Sequence, residues 1–221
     1  MKRTVVFDLD GTLADTSGDL IAAANVCFRG LGLGDVLEPE TDAGIALRGG
    51  RAMLRLGFER TGTHGESEVD RQYPILIEAY AKDLDRRTVL YPGAMEAVRQ
   101  LKAEGYIVAI CTNKPEALAE ELMKRLGVRD DFDALLGADS LPVRKPDPIH
   151  LIETVRRAGG DPSRMLLVGD SDTDRNTSAN AGVPSILVTF GPSGDDMAAL
   201  QPEALLEDYA DLPRLVKDLI G

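Results

Sequence analysis

Five short aliphatic runs punctuate the chain: TVVFD at 4–8, YIVAICTN at 106–113, DALLGAD at 133–139, MLLVGDSD at 165–172 and SILVTFG at 185–191. Most are apolar at successive positions rather than alternating, the pattern of strands covered on both faces, and each gives way to glycine or polar residues. Between them the period becomes helical. NKPEALAEELMKRLG offers Asn113 as an N-cap, Pro115 in the first turn, Lys124 and Arg125 late, and Gly127 as terminator. DPIHLIETVRRAGG opens on Asp147 and Pro148 and closes on two arginines and two glycines, while GAMEAVRQLKAEG sets Val98 and Leu101 on one face. This alternation predicts an α/β protein with a doubly wound parallel sheet, in which ligands bind at the carboxyl ends of strands. Asp8, Thr112, Asp139 and Asp170 all stand near such ends.

The first strand breaks the pattern. After DLDGTLADT the next strand-like run begins at Tyr106, and the interval reads as helices: SGDLIAAANVCFRGLG, TDAGIALRG, GRAMLRLGFERTG and ESEVDRQYPILIEAYAKDL. Residues 15–86 are therefore expected to form an inserted helical domain, with 1–14 and 87–221 as the α/β core. The C-terminal LPRLVKDLIG reads as an amphipathic closing helix, too short and too charged to anchor in a membrane.

Composition narrows the function classes. With aromatic residues at 5% and no Trp, the core must be built from aliphatics and alanine. A formal net charge of -12 makes the overall field repulsive to nucleic acid and to anionic membranes, so an anionic substrate needs local cations. Cys27 and Cys111 lie in apolar surroundings without metal or redox spacing and are expected to be buried thiols. The N-terminal apolar run is too short for a secretory signal, and no stretch approaches the roughly 18 apolar residues of a membrane span, so a cytoplasmic protein is expected, monomer or homodimer.

Asp8 and Asp10 pose the chemical question. Carboxylates at the end of a buried strand are costly unless something cationic meets them. Magnesium suits them, since it prefers carboxylate and carbonyl oxygens and keeps sites for water and phosphate. A second acidic cluster, VGDSDTD, follows another apolar strand, where Asp170 could lie beside Asp8 and share one ion.

The ordered set DLDGT, CTN, a Lys-Pro before a helix, and GDSDTD resembles the haloacid dehalogenase superfamily, in particular its phosphatases with a helical cap inserted after the first strand of a Rossmann-like core. The resemblance spans essentially the whole chain. It implies a magnesium-dependent phosphomonoester hydrolase acting through an aspartyl-phosphate. In that reading Asp8 is the nucleophile and a metal ligand. Asp10 is the general acid and base, turning its side chain from the ion and leaving its backbone carbonyl as ligand. Asp170 is the third ligand, Thr112 and Asn113 bind the phosphate, Ser171 supports by hydrogen bonding, and Asp174 orients the motif lysine. Two Lys-Pro pairs compete for that lysine. Lys145 is chosen because it follows the DALLGAD strand and precedes the helix leading to the last motif; Lys114 is read as a solvent-facing first-turn residue. Asp172 is read as an exposed helix-start charge, and His64 and His150 as structural or solvent-facing.

The inserted unit is similar to that of phosphoglycolate phosphatases, which carry a Gly-rich turn before a cap helix; here the turn is ALRGGRAML, with Arg48 placed to pair with a substrate carboxylate. Arg next to the glycine pair departs from the usual pattern and leaves a sugar phosphomutase as an alternative. Phosphonate-cleaving relatives need a cap lysine, and between residues 14 and 86 the chain offers only Lys82; dehalogenase relatives lack the second aspartate. A non-catalytic phosphate-binding regulatory protein is the alternative from another class. The expected partner is a small phosphorylated metabolite, with glycolate 2-phosphate the leading substrate.

Overall fold

In the computed structural model, which describes residues 2–192 and 196–221, the solidly apolar runs become strands with no exposed residue. In chain order the strands are β1 (Thr4–Phe7), β2 (Ala14–Asp15), β3 (Val89–Leu90), β4 (Ile107–Cys111), β5 (Ala134–Leu136), β6 (Met165–Gly169), β7 (Ser185–Val188) and β8 (Ala204–Leu206). Six of them form one sheet in the order β5-β4-β1-β6-β7-β8, while β2 and β3 pair separately. Every adjacent pair in the large sheet is parallel. The α/β, doubly wound expectation therefore holds. Its missing pieces were β8 and the β2–β3 ribbon, each too short to stand out as an apolar run.

Strand order sets the location of the chemistry. β4 and β5 lie to one side of β1, and β6, β7 and β8 to the other. The chain thus fills one side of β1 with β4 and β5 and then crosses to the other with β6, opening beside β1 the crevice at carboxyl ends that such sheets use for ligands.

By its internal packing the described chain divides into two compact units: 2–14 with 90–191 and 196–221, and 15–89 with 192. The second is built on α1 (Ser17–Gly30), α2 (Pro39–Leu47), α3 (Gly50–Thr61) and α4 (Glu66–Lys82). Its core includes Ile21, Phe28, Met53, Leu54, Phe58, Val69, Leu76 and Tyr80. Phe28 and Phe58 meet edge to face with ring centres 5.5 Å apart. That contact depends on Gly57, where a Cβ would come within 2.1 Å of the Phe28 ring.

In the sheet-containing unit the helices are α5 (Ala94–Ala103), α6 (Glu116–Arg125), α7 (Pro148–Arg157), α8 (Asp172–Ala181) and α9 (Leu212–Ile220). Asp147 caps α7 by accepting from Ile149 N, and the helix then lays Leu151 and Val155 onto Val6, Cys111, Met165 and Leu167 of the sheet. His150 is buried there as a structural residue, its Nε2 3.0 Å from Gly137 O and its Nδ1 3.5 Å from Cys111 Sγ. Burial pushes the Cys111 thiol up to about 12, so it stays a protonated core group. Cys27 is likewise buried and free.

Candidate active site

Sheet register brings the motif residues side by side. Phe7 of β1 aligns with Ile110 of β4 and with Val168 of β6. Asp8 follows the end of β1, Thr112 the end of β4 and Asp170 the end of β6, on three adjacent strands. The ladder runs on past the strand ends: Asp8 N donates to Val168 O at 2.9 Å and Thr112 N to Leu136 O at 3.0 Å. Backbone pairing thus fixes the stems of Asp8 and Thr112.

Lys145 is buried, with Nζ 2.9 Å from Asp8 Oδ1 and 2.7 Å from Asp174 Oδ1. Asp8 Oδ1 also accepts from Leu9 N at 2.7 Å, which orients the carboxylate. Asp174 is held in turn, its Oδ2 accepting from Ser171 Oγ at 2.6 Å and from Asp170 N at 3.2 Å. Ser171 is also the N-cap of α8, accepting from Asp174 N. Gly169 makes room for this arrangement: a Cβ there would lie 2.3 to 2.6 Å from Asp174 side-chain atoms. The carbonyl of Lys145 accepts from Asn113 Nδ2 at 3.1 Å. Asp8, Asn113, Lys145, Asp170, Ser171 and Asp174 are therefore joined through one network of hydrogen bonds and ion pairs. Asp172 is exposed at the first position of α8.

The electrostatics call for a cation. Oxygens of Asp8, Asp170 and Asp174 lie within 4.8 Å of one another, and this is the acidic group with metal-binding spacing among the described residues. Burial pushes the Asp8 carboxyl up to about 6; Lys145 opposes that rise and the Asp174 charge adds to it. Asp170 is raised well above the usual carboxylate range by burial, then by Asp174 and Asp8, although Thr12 Oγ1 donates to it at 3.2 Å. Burial works against the Lys145 ammonium, but Asp174 and Asp8 outweigh it and hold the lysine charged. Three carboxylates against one ammonium leave the buried group two negative charges in excess when all are ionised. An all-oxygen set with that excess fits a hard divalent cation.

Two local readings of the sequence need correction. Lys114 is not solvent-facing: its side chain is 3% exposed and Nζ lies 2.9 Å from Asp10 Oδ1. Asp10 needed a cation, and the end of β4 supplies one; nothing in the residues around Lys114 names that distant partner. Asn113 does not cap the following helix, because α6 begins at Glu116 with Pro115 in the capping position. Asp139, beyond β5, supplies a carboxylate oxygen 2.8 Å from Glu116 N instead. Asn113 is thereby released to bind Lys145 O. Thr112 Oγ1 accepts from Lys114 N at 3.1 Å. Arg48 belongs to the helical unit, at the C-terminal end of α2, and Gly49 after it has φ 95°, which favours glycine. Arg51 and Arg55 are exposed and paired with Asp70 and Glu66.

The sequence profile described as haloacid dehalogenase-like hydrolase matches residues 5–188. A phosphoglycolate phosphatase of Agrobacterium fabrum is 37% identical over 223 residues, covering 100% of this chain and 95% of the relative. One from Mesorhizobium japonicum is 38% identical over 209 residues, covering 94% of this chain and 92% of the relative. Among solved structures, a predicted phosphoglycolate phosphatase from Haemophilus somnus superposes with a TM-score of 0.85 at 26% identity, covering 97% of both chains. The motif order in the sequence, the carboxylates gathered beside β1 and this full-length likeness lead to one conclusion: the chain belongs to the haloacid dehalogenase-like hydrolases.

Proposed function

We propose that the protein is a magnesium-dependent phosphatase of small organic phosphomonoesters, phosphoglycolate phosphatase-like, and that it works through an aspartyl-phosphate on Asp8. The observation that carries this reading is the contact of Lys145 Nζ with both Asp8 and Asp174 inside a buried, oxygen-lined group that includes Asp170. A pure binding protein has no need of a carboxylate oriented in this way. Asp8 and Asp170, with the main-chain carbonyl of Asp10, would hold magnesium, which when bound offsets the negative charge of the carboxylates and of the phosphoryl group.

The residues then divide the work. In the first transfer an Asp8 carboxylate oxygen bonds to phosphorus as the bond from phosphorus to the ester oxygen breaks, and the departing oxygen takes a proton from Asp10. In the second, the oxygen of water bonds to phosphorus, its proton passes to Asp10, and the acyl-phosphate bond breaks to restore the Asp8 carboxylate. Lys145 balances charge on Asp8 and on the phosphoryl oxygens, an electrostatic role of the kind that dominates phosphoryl transfer. Thr112 and Asn113 serve the phosphate oxygens. The helical unit acts as a cap, with Arg48 binding a substrate carboxylate, and the enzyme works in the cytoplasm. Glycolate 2-phosphate is the leading substrate, supported by the names of the full-length relatives.

Phosphate release from glycolate 2-phosphate and other small phosphoesters, with magnesium and with a chelator, tests the proposal. We expect release that stops on chelation and falls at least about a thousandfold in Asp8→Asn. Wild type and Asp8→Asn equally inert on every ester would overturn it. With glucose 1-phosphate, an isomeric product in place of free phosphate would mark a mutase instead.

A further inference from the structure

Lys114 is built into its position. Its N–H donates to Thr112 Oγ1 at 3.1 Å and its carbonyl accepts from Ala138 N at 2.9 Å. Gly137 lets the two segments meet, since a Cβ there would lie 2.3 Å from Glu116 N and 2.7 Å from Lys114 O. From this clamped backbone the side chain reaches Asp10 with only 3% of its surface exposed. A buried ammonium costs several kcal/mol unless a carboxylate meets it, so the pair is held as a unit.

We infer that Lys114 is a positioning residue for the general acid and base: it keeps the Asp10 carboxylate out of the Asp8–Asp170–Asp174 group and fixed for proton exchange with the leaving oxygen. The inference rests on the roles proposed above for Asp8 and Asp10. A carboxylate two residues from Asp8 is open to capture by the cation that the acidic group would bind, and the ammonium 2.9 Å away competes for it. Asp10 stands outside the set of carboxylates that gather within 4.8 Å. Lys145 and Lys114 thereby divide the two aspartates of the first motif, one lysine to each.

The test uses the magnesium-loaded enzyme and two esters that differ in their need for a proton: glycolate 2-phosphate, whose alkoxide must be protonated as it leaves, and p-nitrophenyl phosphate, whose phenolate need not be. Lys114→Met is expected to lower kcat/KM on the alkyl ester by roughly 10²- to 10⁴-fold and on the aryl ester by no more than about tenfold. In an Asp10→Asn background the same substitution is expected to change neither rate further, because its effect passes through Asp10. An unchanged alkyl rate, an equal loss on both esters, or a full additional loss on top of Asp10→Asn would each overturn the inference while leaving the phosphatase reading intact. Wild type inert on both esters would overturn that reading and this one with it. Should Lys114→Met fail to fold, comparison of Asp10→Asn with the double variant, which leaves neither charge unpaired, decides the matter.

Discussion

Asp8 is an expensive residue in the metal-free protein. Burial first, and Asp174 after the opposing effect of Lys145, raise its carboxyl from 3.8 to about 6. The folded chain therefore holds that proton more tightly than the unfolded one between those two values, and the contribution of Asp8 to stability falls as pH rises through this window. Under chelation, Asp8→Asn should melt at a higher temperature than wild type at pH 7, with the gap closing as pH falls through this window to below 3.8, where the carboxyl is protonated in the folded and the unfolded chain alike. Saturating magnesium should reverse the order, since a ligand of the folded state stabilises it by mass action. Thermal melts across pH, with and without chelator, check this; a metal-free Asp8→Asn less stable than wild type at pH 7 would contradict the electrostatics described. Residues of this kind were legible in the sequence because chemistry demands their type and order: Asp8, Asp170, Lys145 and Asp174 each stood in a motif. Lys114 was not, because its burial depends on Asp10, which lies 104 residues away. Asn113 misled for a related reason. Its type suits a cap, but Asp139, from another strand end, had taken that work.

Elements were legible in proportion to their length and to the uniformity of their burial. β1, β4, β5, β6 and β7 are buried along their whole length, and each is an apolar run in the sequence. β8 carries three residues of graded exposure, and β2 and β3 two each, so the pairing of neighbours rather than their own pattern defines them. Within the helical unit, Asp19 of α1 binds the segment leading to β3. Its carboxylate accepts from Arg87 N, from Thr88 N at 2.9 Å and from Thr88 Oγ1 at 2.9 Å. The side chain of Asp19 is fully buried, so its removal strands donors that water reaches poorly. Asp19→Ala should cost about 2 to 4 kcal/mol, read as a lower urea midpoint for the unfolding of this unit. A loss below about 0.5 kcal/mol, the range of ordinary surface substitutions, would show that these bonds do not hold the segment.

At the scale of the molecule, a chain of net charge -12 is assigned an anionic substrate. Local arrangement resolves the conflict: Lys145 and Lys114 sit at the carboxyl ends of the central strands, and the excess negative charge beside them invites a divalent cation. Among the described residues no helix is long and apolar enough to cross a membrane. The parallel sheet was foreseeable from alternating strand and helix patterns, but its switch at β1 and the side on which each strand lies were not, because sequence order does not fix spatial order. The claim on which the functional account turns is that Asp8 takes the phosphoryl group. Acid-quenching the enzyme during turnover of glycolate 2-phosphate with magnesium, followed by peptide mass mapping, tests it most directly. A phosphoryl group on the peptide carrying Asp8, absent from Asp8→Asn, is the predicted result; steady phosphate release by Asp8→Asn at the wild-type rate would contradict it.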